Sequence, residues 1–273
     1  MNRSDKRPLV NYHAHTWRCK HAAGTEEDYV LRAIEQGFRV FGFADHSPWP
    51  YKSDFEGRIR MSLRQFPDYE RTVRALAEQY ADRIFVPLGL ECEAFPEYYG
   101  WLKEFKAAHL DYVIMGNHFA LNDETGGLYY GRCTEAAQVL DYAKNTIDGL
   151  RTGLFDYLAH PDLFCRSYRR FDESCLAAAR DICQAARALD IPLEYNLLGL
   201  SNEAMDRARG VLGYPCAAFW KVAAQTGCKV IIGLDAHSPE EIDRLDLYED
   251  AWRTLSGLGM EIVPALPGLE GGA

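Results

Sequence analysis

Short apolar runs alternate with longer amphipathic stretches along the whole chain. The runs are PLVNYH (8–13), RVFGFADH (39–46), RIFVPLGLE (83–91), DYVIMGNH (111–118), LFDYLAH (154–160), IPLEYN (191–196) and KVIIGLD (229–235). Each is β-rich and bounded by a polar, glycine or proline signal, which predicts parallel strands buried on both faces. Helical periodicity fills the gaps. TEEDYVLRAIEQG (25–37) carries a threonine N-cap, glutamates in its first turn and a terminating glycine. The stretch 62–80 predicts a longer helix whose true start is marked by Pro67. Residues 134–151, 172–189, 214–226 and 239–256 continue the alternation, with a shorter helix over 97–108.

Repeated strand–helix units imply parallel strands joined by right-handed crossovers, in an open sheet or a closed barrel. No low-complexity linker divides the chain, so residues 1–273 read as one domain. Seven evenly spaced units fit an α/β fold of the distorted (β/α)7 type, related to the eight-unit TIM barrel. MEIVP (260–264) is either an eighth short strand or a tail covering the barrel.

Composition narrows the classes. A hydrophobic content of 48% and a charged content of 26% are ordinary for a folded protein able to bury a core. The net charge of −10 argues against a general nucleic-acid binder. It leaves room for an anionic small substrate, because metal dications would oppose the global sign locally. The eight cysteines contain no CxxC pair and read as reduced, mostly buried thiols. No apolar signal stretch and no membrane-length segment are found, so a cytoplasmic location is expected, with no membrane partner. Oligomeric state has no signal.

The chemistry sits where the strands end. The first run ends in His13 with His15 two residues on, and His21 follows closely; the second ends in Asp45-His46. The others end in Glu91, His118, His160 and Asp235, with His237 after the last; only His109 lies elsewhere. In a parallel barrel these ends open onto one face. A lone strand-end histidine is ordinarily a packed or hydrogen-bonded residue, but seven joined by two acids are not explained that way. In His-x-His the two side chains point the same way along a strand, so one ion can take both. Imidazole and carboxylate suit Zn, Fe and Mn. His13, His15, His21, His46, Glu91, His118, His160, Asp235 and His237 make nine donors. One ion takes about three or four protein ligands, so two to three divalent ions are expected. The amidohydrolase barrel also starts with His-x-His and ends with a strand-terminal aspartate, but it bridges its metals with a modified lysine. Here no lysine ends a predicted strand, and Glu91 stands in that place.

HAHTWRCKHAAGT, FADHSP, GLECE, NHF, AHPDL, EYN and GLDAHSPEEI, in this order, closely resemble the polymerase and histidinol phosphatase (PHP) family over residues 11–245. The nearest branch is that of stand-alone histidinol-phosphate phosphatases. The resemblance implies a distorted (β/α)7 barrel with a trinuclear metal site that hydrolyses phosphate esters. It implies that His13, His15, Glu91 and Asp235 hold one ion, and that Glu91 bridges to a second held by His118 and His160. His21, His46 and His237 hold the third, so His21 follows the His-x-His because it serves a different ion. Some members carry an aspartate near the position of His21.

Glu93 lies on the same side as Glu91 and is either an outer partner or the bridge itself, with Glu91 preferred because it directly follows the apolar run. Asp45 is expected to orient a ligand. Cys19, between Arg18 and Lys20, is read as a loop thiol. Residues 47–62 and 119–133 are irregular and expected to lie over the site. The expected activity is that of a phosphomonoesterase acting on L-histidinol phosphate, with a hydroxide shared between two ions as nucleophile. Glu91 and Asp235 would serve catalysis through the ions and Arg166 would clamp the phosphate; Arg18, Lys20, Arg58 and Arg60 are further basic candidates, and Asp162 or a metal-bound water the general acid. The alternatives are a nucleotide, cyclic or sugar phosphate as substrate, or a non-catalytic metal-binding module.

Overall fold

The computed structural model describes residues 9–271. Pro8, the first residue of the first predicted strand, lies outside them, as do the ends of the 1–273 span. Nine strands form: β1 (Leu9–Asn11), β2 (Phe38–Phe41), β3 (Phe43–His46), β4 (Leu88–Cys92), β5 (Tyr112–Met115), β6 (Tyr157–Leu158), β7 (Leu193–Asn196), β8 (Lys229–Gly233) and β9 (Glu261–Ile262). The helices between them are α1 (Glu26–Gln36), α2 (Phe66–Gln79), α3 (Tyr99–His109), α4 (Ala136–Leu150), α5 (Glu173–Ala188), α6 (Leu197–Ser201), α7 (Glu203–Arg209), α8 (Ala217–Thr226) and α9 (Leu245–Gly257). No described helix is long and apolar enough to cross a membrane.

Every strand pair is parallel. β1 pairs with β2, and β3 to β9 pair in sequence order. The two ends meet at a parallel bridge between Ala14 and Ala236, where His15 N–H donates to Ala236 O (2.8 Å) and Ala236 N–H to His13 O (3.3 Å). Counting β2 and β3 as one broken stave, and leaving aside the two-residue β9 on the outer edge of β8, the result is a distorted seven-stave α/β barrel.

The predicted run 39–46 is thus two strands broken at Gly42, whose N–H turns to Asn11 O (2.7 Å). The run 83–91 is strand only from Leu88, because Pro87 has no N–H to continue the ladder. The helices follow their caps. Thr25 and Asp28 form a capping box for α1, and Gly37 closes it in the left-handed conformation. Pro67 sits in the first turn of α2, as expected. The start predicted at 239 for the last helix is instead a 3-10 turn over Pro239–Asp243. The pair α6 and α7 has no counterpart among the predicted elements.

The core has two parts. One lies between strands and helices; the other fills the barrel with Val10, Tyr12, Val40, Tyr112, Ile114 and Ile231 among others. Tyr112 crosses the interior and donates to Tyr12 O (2.8 Å) or Phe43 O (2.9 Å). Beyond β9 the chain runs under the barrel, where Leu266 is buried and Tyr12 Oη donates to Leu269 O (2.8 Å). MEIVP is therefore both things: a two-residue strand on β8 and the start of a cover. The lower barrel is apolar and sealed, and its polar residues lie at the other end. Two glycines make room there. A Cβ on Gly116 would overlap the Glu91 carboxylate, and one on Gly233 would overlap that of Glu194.

Candidate metal centre

All nine predicted donors lie at the C-terminal end of the staves, gathered around Glu91. Glu91 Oε1 is 2.9 Å from His160 Nε2 and 3.5 Å from the Nε2 atoms of His13 and His118. Its Oε2 is 2.9 Å from His46 Nδ1 and 3.6 Å from His15 Nε2. Asp235 Oδ1 is 3.0 Å from His15 Nε2 and 3.4 Å from His13 Nε2. His21 and His237 face each other through Nε2 at 3.0 Å. His15 stacks on His237 and also neighbours His46, so these three form a second grouping beside the one expected for His21. His109 lies away, against Glu70.

Local hydrogen bonds aim the rings. The Thr16 hydroxyl donates to Asp45 and accepts from Arg18 N–H (3.3 Å), which starts a turn over Trp17–Cys19. Lys20, at φ 71°, reverses the chain. His21 Nδ1 then donates to Cys19 O (2.8 Å), and His237 Nδ1 to Asp235 O (2.9 Å), leaving both Nε2 lone pairs facing the cluster. Three other rings are backed by carboxylates: His13 by Glu194 (2.8 Å), His15 by Asp45 (3.4 Å) and His118 by Glu93 (3.0 Å). Such outer partners set the tautomer and orientation of a metal-binding histidine. Asp45 matches its expected orienting place. Glu93 stands behind His118 rather than among the rings. Glu194 is not among the residues that strand ends single out.

The charge balance of this buried end calls for cations. Among the described residues, no lysine or arginine pairs with Glu91, Asp235, Asp45 or Glu194, all nearly inaccessible to solvent. Burying a carboxylate without compensation costs several kcal/mol. Without ions, neutral hydrogen bonds relieve part of this cost and protonated imidazoles must supply the opposing charge. Burial opposes that, but Glu91, Glu93 and Asp235 raise His118 to about 9. Against the same burial, hydrogen bonds donated by the His15 ring to Asp235 and Asp45 raise it to about 9. Burial dominates at His237, which falls to about 4, and holds His46 well below its ordinary value. Glu91 Oε2, His46 Nδ1 and His160 Nδ1 are buried without a hydrogen bond. Donors around one tetrahedral zinc stand roughly 3.3 Å apart, close to the spacings found here. The donor set fits divalent ions.

A model of the PHP domain matches residues 11–197, well over half of the chain. The chain belongs to the PHP family. Among relatives, the "Probable histidinol-phosphatase" of Deinococcus radiodurans is 29% identical over 249 residues, covering 86% of this chain and 88% of that one. A protein of the same name from Schizosaccharomyces pombe is 24% identical over 85% of this chain and 82% of its own. Histidinol phosphate phosphatase from Lactococcus lactis, solved with zinc, L-histidinol and phosphate, shares the fold with a TM-score of 0.71 at 16% identity, over 94% of this chain and 96% of that one.

In this PHP chain the cluster forms the floor of a cavity of about 810 Å³. The two irregular regions supply its walls as expected, with Phe55, Arg58, Phe119 and Tyr129 among them. A third wall, formed by Leu198 and Asn202 at the α6–α7 junction with Tyr214, carries no signal in the hydrophobic pattern. Of the basic candidates, Arg166 and Arg58 reach the cavity, and Arg132 joins them. Arg166 is half-buried over the Tyr129 ring (5.7 Å). Arg18 is instead paired with Glu26 and Asp68, Arg60 with Asp123 and Glu93, and Lys20 bonds Gly57 O. Asp162 does not line the cavity. It is buried, accepts from Cys216 N–H (2.5 Å), and burial pushes it up to about 8. Burial likewise pushes the Cys19 thiol up to about 12, against any depression by its basic neighbours.

Proposed function

We propose that the chain is a single PHP-type metallohydrolase domain: a cytoplasmic, metal-dependent phosphomonoesterase that converts L-histidinol phosphate and water to L-histidinol and phosphate. The observation that carries this reading is the convergence of five imidazoles on the two oxygens of Glu91. The names of the relatives support the substrate. His13, His15, Glu91 and Asp235 would hold one ion, Glu91 with His118 and His160 a second, and His21, His46 and His237 a third. Two to three ions of Zn, Fe or Mn suit these donors.

When bound, the ions supply water activation and charge neutralisation. The chain's own residues do the rest. Arg166, which makes no salt bridge among the described residues, donates to non-bridging phosphate oxygens in bidentate fashion. Tyr129 and Tyr214 wall the leaving alcohol and exclude water from the floor. Glu93, Asp45 and Glu194 keep three rings aimed.

A second reading, a nucleotide or sugar phosphate as substrate, is favoured by one feature. Arg58, Arg132 and Arg166 all line the cavity without a salt bridge among the described residues, more positive charge than one phosphate needs. The test compares kcat/KM of metal-loaded protein for histidinol phosphate, nucleotides and sugar phosphates. Histidinol phosphate ranking below the others would transfer the proposal to the second reading. No hydrolysis of any ester would leave a metal-binding module.

A further inference from the structure

β7 is the one stave whose end offers no proposed ligand, yet it carries a fully buried carboxylate, Glu194. One oxygen, Oε1, accepts from His13 Nδ1 at 2.8 Å. The other, Oε2, accepts from His160 N–H (3.1 Å) and from Asn196 Nδ2 (2.9 Å). Asn196 Nδ2 reaches in turn to Asp235 Oδ2 at 3.1 Å. The amide orientation is fixed, because Asn196 Oδ1 accepts Gly199 N–H at the start of α6 (2.9 Å). Glu194 and Asn196 therefore hold three proposed ligands, borne by β1, β6 and β8.

Two of the three need holding. His160 and Asp235 have positive φ values of 30° and 53°, a backbone region costly for residues with a Cβ and stable only where neighbours over-determine it. Glu194 binds the backbone of the first, and Asn196 binds the side chain of the second. At His13 the effect is on the ring. With Nδ1–H donated to Glu194, the Nε2 lone pair is turned toward Glu91 and Asp235. Gly233 leaves the space that Glu194 occupies.

We propose that Glu194 is a positioning residue of the metal centre: from the stave that carries no donor, it sets how tightly the ions are held. The inference rests on the metal-centre reading above. Glutamine is the informative replacement. If its amide oxygen faces His13, its NH2 opposes the donors of His160 and Asn196. If it is flipped, the NH2 opposes His13 Nδ1–H and forces the other tautomer, which turns a proton toward the ions.

The experiment measures zinc affinity by competition with a chromophoric chelator, together with the ligand-field spectrum of the cobalt form. Glu194→Gln is expected to weaken zinc binding on the order of 10- to 100-fold and to alter the cobalt spectrum. Asp156→Asn is the control, since Asp156 bonds Lys106 and Val113 N–H away from the centre. It should lower thermal stability and leave zinc affinity alone, as a merely structural loss does. Should Glu194→Gln not fold, Gly233→Ala displaces the same carboxylate with every donor retained and should weaken zinc in the same direction. A folded variant with the zinc affinity of the parent overturns this inference alone. A parent that takes up no zinc overturns the metal-centre reading and this inference with it.

Discussion

Gly116 on the β5 side faces Glu91 on β4 so closely that any side chain on the glycine would occupy the space of the carboxylate. Gly116→Ala is therefore a mutation of Glu91 by displacement. It should cost about 1–3 kcal/mol of stability from overpacking, visible in thermal melts, and should lower bound metal and turnover together. Normal metal content in a folded Gly116→Ala protein would show that Glu91 does not sit at the centre of the cluster.

Glu91→Gln keeps the size of the side chain and removes the charge facing five imidazoles. Hydrolysis should fall by more than about 100-fold, beyond the loss typical of an outer partner, with bound metal reduced in elemental analysis. Asp235→Asn should approach the same loss.

Arg166→Ala separates phosphate binding from metal binding. Loss of a charge-assisted contact worth about 1.5–3 kcal/mol corresponds to a drop in kcat/KM of roughly 10- to 100-fold. Metal content should stay at the parent level. An equal fall in metal content would place Arg166 in the scaffold rather than at the substrate.

Cys19→Ser tests for a thiolate nucleophile. The thiol is buried and pushed up to about 12, so activity should stay near that of the parent, with a modest fall in melting temperature from a buried hydroxyl. Abolished activity here, with Glu91→Gln still active, would point to a phosphocysteine route.

Stripped of metal, the protein should have a narrow stability optimum near neutrality. His15 and His118 rise to about 9 in the fold from 6.5. Their contribution is full below pH 6.5 and is lost as pH climbs toward 9. His237, lowered to about 4, acts oppositely: its contribution is full above pH 6.5 and is lost as pH falls toward 4. Zinc should remove the alkaline arm, because bound imidazoles are already neutral. Chemical denaturation from roughly pH 5 to 9, with and without zinc, checks both signs.

Strand-end donors are legible in a sequence because parallel strands present their C-terminal residues to one face, whatever the helices do between. Hence the shared face of His46, Glu91, His118 and His160 follows from the hydrophobic pattern alone. Glu194 is hidden because it lies inside the apolar run IPLEYN, where burial on both faces erases the alternation that would show which way it points. Its signal is the spacing to Asn196, two residues on and on the same side. The pairing of Arg60 with Asp123 is equally hidden, since it joins two irregular segments 63 residues apart that no periodicity relates. Gly42 and Pro87 each break a strand that hydrophobicity alone would run through.

The seam of the barrel lies between Ala14 and Ala236, where bonds from His15 and to His13 bring the first stave against the last. The residues on either side of that seam, His13 and His15 on one and Asp235 on the other, are those proposed to share an ion. A cation there is a clasp across the join. Breathing of the barrel at this join and escape of the ion become one motion, so amide exchange at His15 and Ala236 should report metal occupancy directly.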